Sequence, residues 1–186
     1  ARWKRDMVWF VRALTYYKRK PLILKSPPHT GRVGVLAELF PGARFIHITR
    51  NPETLYASTR RLWPTLDLAQ GLQIPKNEYL DEYIFEAFER MYRGFESQRV
   101  GLAPNRIIDV RYEDLVQDPI GQVERIYREL EIEGLETVRD RLHAFIGQRK
   151  DYKPNRHEEL EPEIRAAIRR RWSGYIEKYG YAEELG

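Results

Sequence analysis

Residues 21–61 read PLILKSPPHTGRVGVLAELFPGARFIHITRNPETLYASTRR. Two short apolar runs, at 22–24 and 45–48, have strand length and carry β-branched or aromatic side chains. Between them Val33, Leu36, Leu39 and Phe40 fall on one face of a helical segment, which Pro41 and Gly42 end. The order is strand, loop, helix, strand, with the length of a parallel crossover. Each predicted strand runs into a polar cluster: Lys25 to Thr30 after the first, Thr49 to Pro52 after the second. In a parallel sheet both clusters lie at the carboxyl ends of the strands, where open α/β sheets bind ligands.

The spacing in the second cluster narrows the ligand. Arg50 closes a strand, Pro52 suits a helix start, and Ser58 follows eight residues after Arg50. A planar guanidinium and a neutral hydroxyl at the mouth of a helix are suited to grip one phosphate. The stretches KSPPHT and FPGARFIHITRNPETLYAST resemble the central segment of sulfotransferases that use 3′-phosphoadenosine 5′-phosphosulfate (PAPS), nearest to bacterial members related to tyrosylprotein sulfotransferases. The likeness extends to RYEDLVQDP at 111–119 and, more loosely, to YGY at 179–181. It implies that Arg50 and Ser58 hold the 3′-phosphate, that Lys25 faces the transferring sulfuryl group, and that Tyr112 contacts the nucleotide. A phenol suits the last role, by stacking on adenine or donating to a phosphate. His29 is a candidate general base or, equally, a packing residue. Ser26 and Thr30 either bond the sulfuryl group or cap the next helix. Relatives often place a further Arg one turn past the Ser; that position is Leu62 here, which leaves Arg60 or Arg61 for the role.

Composition sets the outer bounds. The chain has 186 residues, 42% hydrophobic and 32% charged, which fits one domain with its own core. No apolar run reaches the ~18 residues of a membrane span. The absence of Cys excludes disulfides, thiolate metal sites and a Cys nucleophile, and agrees with a cytoplasmic location. A net charge of +4 suits an anionic co-substrate as readily as nucleic acid. No residue pattern calls for a metal, and no nucleic-acid recognition motif is present, so a small-molecule or carbohydrate acceptor is expected rather than nucleic acid.

The remaining segments fill in the architecture. Residues 2–19 form an amphipathic pattern, with Trp3, Met7, Phe10, Leu14 and Tyr17 on one stripe and Arg2, Lys4, Arg5 and Arg12 around the other face. This predicts a helix packed on the sheet with a solvated basic face, a membrane-surface or nucleic-acid role being the alternative. Trp63 and Pro64 are expected to end the helix that starts at Pro52, leaving a loop over 64–77 as an acceptor-side lid or a plain surface loop. A long helix over 78–100 carries seven large aromatic or apolar residues and belongs to the core. A third strand over 107–111 leads into a helix opening at Tyr112, where Glu113 and Asp114 favour the helix dipole. Further helices are expected over 120–130, 137–146 and 163–179, with Gly180 as a C-cap. The basic stretch 147–157 offers Arg149, Lys150, Lys153 and Arg156 as late nucleotide contacts or as a solvated charge run.

The family's glycine turn for the 5′-phosphosulfate, of the PKSGTT or RSGTT type, has no counterpart in the chain, nor does a GxxxxGK[ST] P-loop. The expected fold is therefore α/β, a three-layer P-loop-like domain with a short parallel sheet, equivalent to the C-terminal part of the family fold and N-terminally truncated. The function implied is sulfuryl transfer from PAPS to a hydroxyl or amine. A non-catalytic nucleotide- or partner-binding remnant of the same fold is the alternative.

Overall fold

A computed structural model describes residues 2–73, 76–148 and 159–185. Ten α-helices and two strands are defined among them. Strands β1 (Phe45–Thr49) and β2 (Ile107–Arg111) pair in parallel, Phe45 opposite Ile107 and Thr49 opposite Arg111. Between them the chain passes through α3 (Pro52–Gln70) and α4 (Leu80–Arg99).

Paired residues of a parallel ladder share a face, so the register sorts the sheet into two chemistries. Ile46, Ile48, Ile108 and Val110 form the apolar face. Helix α6 (Pro119–Glu129) lays Ile126 over β2, where Leu130, just past its end, completes a small buried cluster. The β1 part of that face is open, and Ile46 and Ile48 stay exposed. The opposite face carries His47, Thr49, Asp109 and Arg111, covered by α4 and the C-terminal tyrosines. There His47 Nδ1 donates to Asp109 Oδ1 at 2.8 Å and its Nε2 lies 3.0 Å from the Tyr92 hydroxyl. Arg99 from α4 closes on both oxygens of Asp109, at 3.0 and 2.7 Å. Burial pushes the Asp109 carboxyl up, but the His47 and Arg99 hydrogen bonds win and hold it at about 2.

The main core lies outside the sheet. Tyr56 of α3, Phe85 and Phe88 of α4, and Ile168, Trp172 and Tyr175 around α8 (Pro162–Arg171) and α9 (Ser173–Lys178) form one buried cluster. Trp172 stacks on Phe88 with centroids 4.0 Å apart. The Arg171 guanidinium fastens the cluster's edge to Glu82 and Glu89 of α4. The layers are thus α4 with α8 and α9, then the sheet, then α6, the α/β arrangement expected, with a short parallel sheet flanked by helices.

Four expectations are corrected. Residues 22–24 form no strand: Ile23 is 95% exposed, and no described strand lies beside the segment to complete its backbone hydrogen bonds. The crossover therefore joins β1 to β2, and the segment before β1 is a 3-10 helix over Pro27–Arg32 followed by α2 (Val33–Leu39). Helix α3 does not stop at Trp63 but runs through Pro64 to Gln70. Trp63 packs edge-on against Tyr83 of α4, a tertiary contact that holds the helix through the proline. The final helix is interrupted at Trp172, whose φ of −107° and ψ of 19° let the indole drop into the core. The N-terminal helix α1 (Arg2–Lys18) is present but buries none of its residues. It is tied to the body by Lys4 on Glu38 at 2.6 Å and by Arg32 over the Trp3 ring. The remaining helices, α5 (Tyr112–Gln117), α7 (Leu135–Gly147) and α10 (Ala182–Leu185), match or adjoin expected segments.

Candidate functional site at the carboxyl ends of the strands

Arg50 follows the last residue of β1 and Tyr112 follows the last residue of β2, so the parallel register brings them to the same end of the sheet. The Arg50 guanidinium stands over the Tyr112 ring, 4.6 Å from its centroid. Its Nε is buried and has no hydrogen-bond partner. An unpartnered guanidinium nitrogen flanked by a phenol fits an anionic group carried on an aromatic or heteroaromatic ligand.

The backbone here is fixed from three directions. Asn51 caps α3, its side-chain oxygen accepting from the N–H groups of Glu53 and Thr54. The Asn51 N–H donates to Glu113 Oε1 at 2.9 Å, which joins the start of α3 to the start of α5. The other Glu113 oxygen accepts from the Tyr181 hydroxyl at 3.0 Å. That hydroxyl has one proton, so in its 3.1 Å contact with Thr49 Oγ1 the threonine is the donor. Burial, above all, pushes the Tyr181 phenol up to about 12. Tyr175 accepts from the Arg50 N–H at 2.9 Å and donates to the Arg50 carbonyl at 2.8 Å. Arg111 pairs with Glu184 of α10 and covers the Tyr181 ring at 4.4 Å. The last two helices and the Tyr-Gly-Tyr turn thereby lock onto both strand ends.

The other predicted residues lie farther out. Ser58 is half-buried, two turns into α3, and is not hydrogen-bonded to Arg50. Lys25 is exposed, in the segment before the 3-10 helix. His29 lies within that helix, half-buried, with Nδ1 buried and unpartnered; burial first, then the charge of Arg32, lowers its pKa. The 3-10 helix and α2 are clasped by Gln98 of α4, whose amide donates to the Gly31 carbonyl at 3.2 Å and accepts from the Gly34 N–H at 2.9 Å. Arg60 pairs with Asp81 at 2.8 Å, which occupies it in a helix–helix contact. Arg149, Lys150, Lys153 and Arg156 fall outside the described residues. Among the described residues, no cluster of His, Cys, Asp or Glu is placed to hold a metal, and no helix is long and apolar enough to cross a membrane.

Sequence reasoning missed Tyr175 and gave Glu113 only a helix-dipole role. Tyr175 was hidden among the apolar residues of the last helix, because a buried tyrosine and a core aromatic have the same periodicity. The Tyr-Gly-Tyr near the C-terminus was the available signal for this lock.

The sequence pattern of the Sulfotransferase family matches residues 3–137. The omega-hydroxy-beta-dihydromenaquinone-9 sulfotransferases of Mycobacterium bovis and Mycobacterium tuberculosis are each 38% identical to the chain over 179 residues, 96% of this chain and 46% of theirs. The chain thus spans about half the length of the curated relatives it matches. No solved structure matches. With the family pattern covering most of its length, the chain belongs to the sulfotransferase family.

Proposed function

We propose that this chain carries the 3′-phosphate end of a PAPS site and serves sulfuryl transfer to a hydroxyl. The observation that carries the reading is the buried, unpartnered Nε of Arg50 beside the Tyr112 ring. Arg50 would bind the 3′-phosphate, Tyr112 would pack against or bond the nucleotide, and Ser58 would add a neutral donor from α3. PAPS supplies the sulfuryl group. The acceptor oxygen bonds to sulfur as the bond from sulfur to the bridging phosphate oxygen breaks. Adenosine 3′,5′-bisphosphate leaves with the electron pair, and the hydroxyl proton passes to a base. Lys25 is the residue we assign to the charge on the transferring group. His29, held neutral by burial, is the candidate base. Arg149 and Lys150 remain proposed contacts to the nucleotide. The relatives' names specify a hydroxylated menaquinone derivative, and we take an acceptor of that class, rather than a carbohydrate or amine, as the first to test.

The test is calorimetric titration with adenosine 3′,5′-bisphosphate, on the chain and on Arg50→Ala. The reading expects micromolar binding that the substitution weakens at least tenfold. Absence of binding by the folded chain rejects it. A second reading, nucleotide binding without turnover, is favoured by Lys25 standing exposed with no glycine turn around it. Binding without transfer of labelled sulfate from PAPS would support that reading.

A further inference from the structure

Helix α1 presents a long outer face among the described residues. None of its residues is buried. Its inner side, with Met7, Val11 and Leu14 half-buried, is already turned to the body. The opposite side, read at helical spacing, is a single line of Arg2, Arg5, Trp9, Arg12 and Tyr16, three cations and two rings. All five are exposed, Trp9 by 69% and Tyr16 by 83%. Phe10 and Tyr17, on the stripe they share with Met7 and Leu14, are exposed too.

The charge is as one-sided as the rings. Residues 2–20 contain seven basic residues and one acidic residue, Asp6, out of the chain's 32 and 28. The rest, with 25 basic and 27 acidic residues, is slightly acidic, so the chain's net positive charge comes from this one helix and its end. Arg19, Lys20 and the almost fully exposed Ile23 follow the helix in the chain. Beside the line, a shallow cavity of about 370 Å³ is lined by Lys4, Arg5, Val8, Trp9, Arg12 and Leu39, apolar surface ringed with cations.

From these observations we infer that α1 docks the protein on the surface of an anionic phospholipid bilayer, lying in the interface plane. Trp and Tyr are at home at the headgroup level, and each Lys or Arg near an anionic leaflet adds attraction. Arg5 and Arg12 meet the lipid phosphates while Trp9 and Tyr16 enter between headgroups. A nucleic acid would use the same cations but offers no apolar phase for the almost fully exposed Ile23. The inference does not depend on the reaction proposed above.

The experiment is co-sedimentation with phosphatidylcholine vesicles containing one quarter phosphatidylglycerol, and with pure phosphatidylcholine, at constant salt. Binding to the anionic vesicles is expected to exceed that to the neutral ones at least tenfold. Arg5→Glu with Arg12→Glu, and separately Trp9→Ser, should each reduce it at least fivefold. All three side chains are exposed, so thermal melts should be unchanged. Arg170→Glu, an exposed cation on α8, should leave binding intact. Equal binding to both vesicles, or an equal loss with Arg170→Glu, overturns the inference. So does binding that Trp9→Ser leaves alone and that a single-stranded RNA oligonucleotide displaces. Absence of vesicle binding overturns it as well.

Discussion

The Tyr175 hydroxyl brackets the backbone of Arg50, taking its N–H at 2.9 Å and giving its proton to the carbonyl at 2.8 Å. A residue at the end of a strand normally offers those two groups to a neighbouring strand. Here one phenol, brought from α9 across 125 residues of chain, replaces the neighbour. Burial and the adjacent Tyr92 push the Tyr175 pKa far above its ordinary range, so the hydroxyl stays neutral and serves as donor and acceptor together. Its consequence for the site is positional: the Arg50 side chain leaves the strand from a fixed peptide.

Tyr175→Phe tests that relationship. Two half-buried backbone groups lose their partner while the ring's packing is kept. A stability loss of about 1–2 kcal/mol is expected in urea unfolding. If Arg50 grips the 3′-phosphate, affinity for adenosine 3′,5′-bisphosphate should fall roughly tenfold, the equivalent of about 1.4 kcal/mol. A folded variant with unchanged affinity would detach Tyr175 from the site and leave it a purely structural residue.

How much of this was legible beforehand differs by element. β1, β2 and the positions of Arg50 and Tyr112 at the strand ends followed from short β-branched runs meeting polar clusters, signals that are local. The run at 22–24 has the same local signal and forms no strand, because a strand exists only through a ladder partner and composition does not contain the partner. Pro64 misled in the opposite direction: the local rule says stop, and tertiary contacts from Trp63 to Tyr83 overrule it. The bracket on Arg50 and the double use of Glu113 join residues more than 60 positions apart, which no spacing within one element encodes. The solvated basic face of α1 was legible in its periodicity, which gives a helix two faces but does not say what covers either.

Pro64 itself is open to test. It lies in the interior of a 19-residue helix and cannot donate to the carbonyl four residues back. With the neighbouring contacts in place, Pro64→Ala should restore that bond and raise stability by about 1 kcal/mol, less than the full ~3 kcal/mol helix-propensity difference because the surroundings have adapted. Thermal melting of the variant above the parent is the expected result. A lower melting temperature would mean that the ring's own packing outweighs the missing bond.

Asp109 sets a pH dependence. Its carboxyl is held at about 2 in the folded protein, against 3.8 for an unperturbed group. A depressed carboxylate contributes stability that is fully present above the unfolded value and is lost as pH falls through the folded one. The window is therefore from about pH 4 down to about pH 2. The side chain is a third exposed, so solvent screening discounts the contribution to about 1–2 kcal/mol. Asp109→Asn should be less stable than the parent at pH 7, and the gap should narrow as pH drops from 4 towards 2. Urea unfolding at pH 7, 4 and 2.5 measures it. A gap that stays constant would assign the stabilisation to hydrogen bonding that the amide also loses, rather than to charge.

Gly34 and Gln98 give a prediction whose sign depends on the partner. Gly34 stands in the first turn of α2, where an unobstructed alanine is favoured over glycine by up to the ~1 kcal/mol of a helix interior. At Gly34, however, an added Cβ would meet Gln98 Oε1 at 3.1 Å and its Cβ and Cγ at 3.2 Å. Gln98 has little freedom to retreat, because its amide holds both the Gly34 N–H and the Gly31 carbonyl. Gly34→Ala should therefore break the clasp and destabilise the protein by about 1 kcal/mol, the hydrogen-bond loss exceeding the propensity gain. In a Gln98→Ala background the obstruction and the clasp are both gone, and the same substitution should become stabilising by about 0.5–1 kcal/mol. A double-mutant cycle read by urea unfolding distinguishes the cases. The same sign in both backgrounds would place the constraint in the backbone around Gly34 rather than in Gln98.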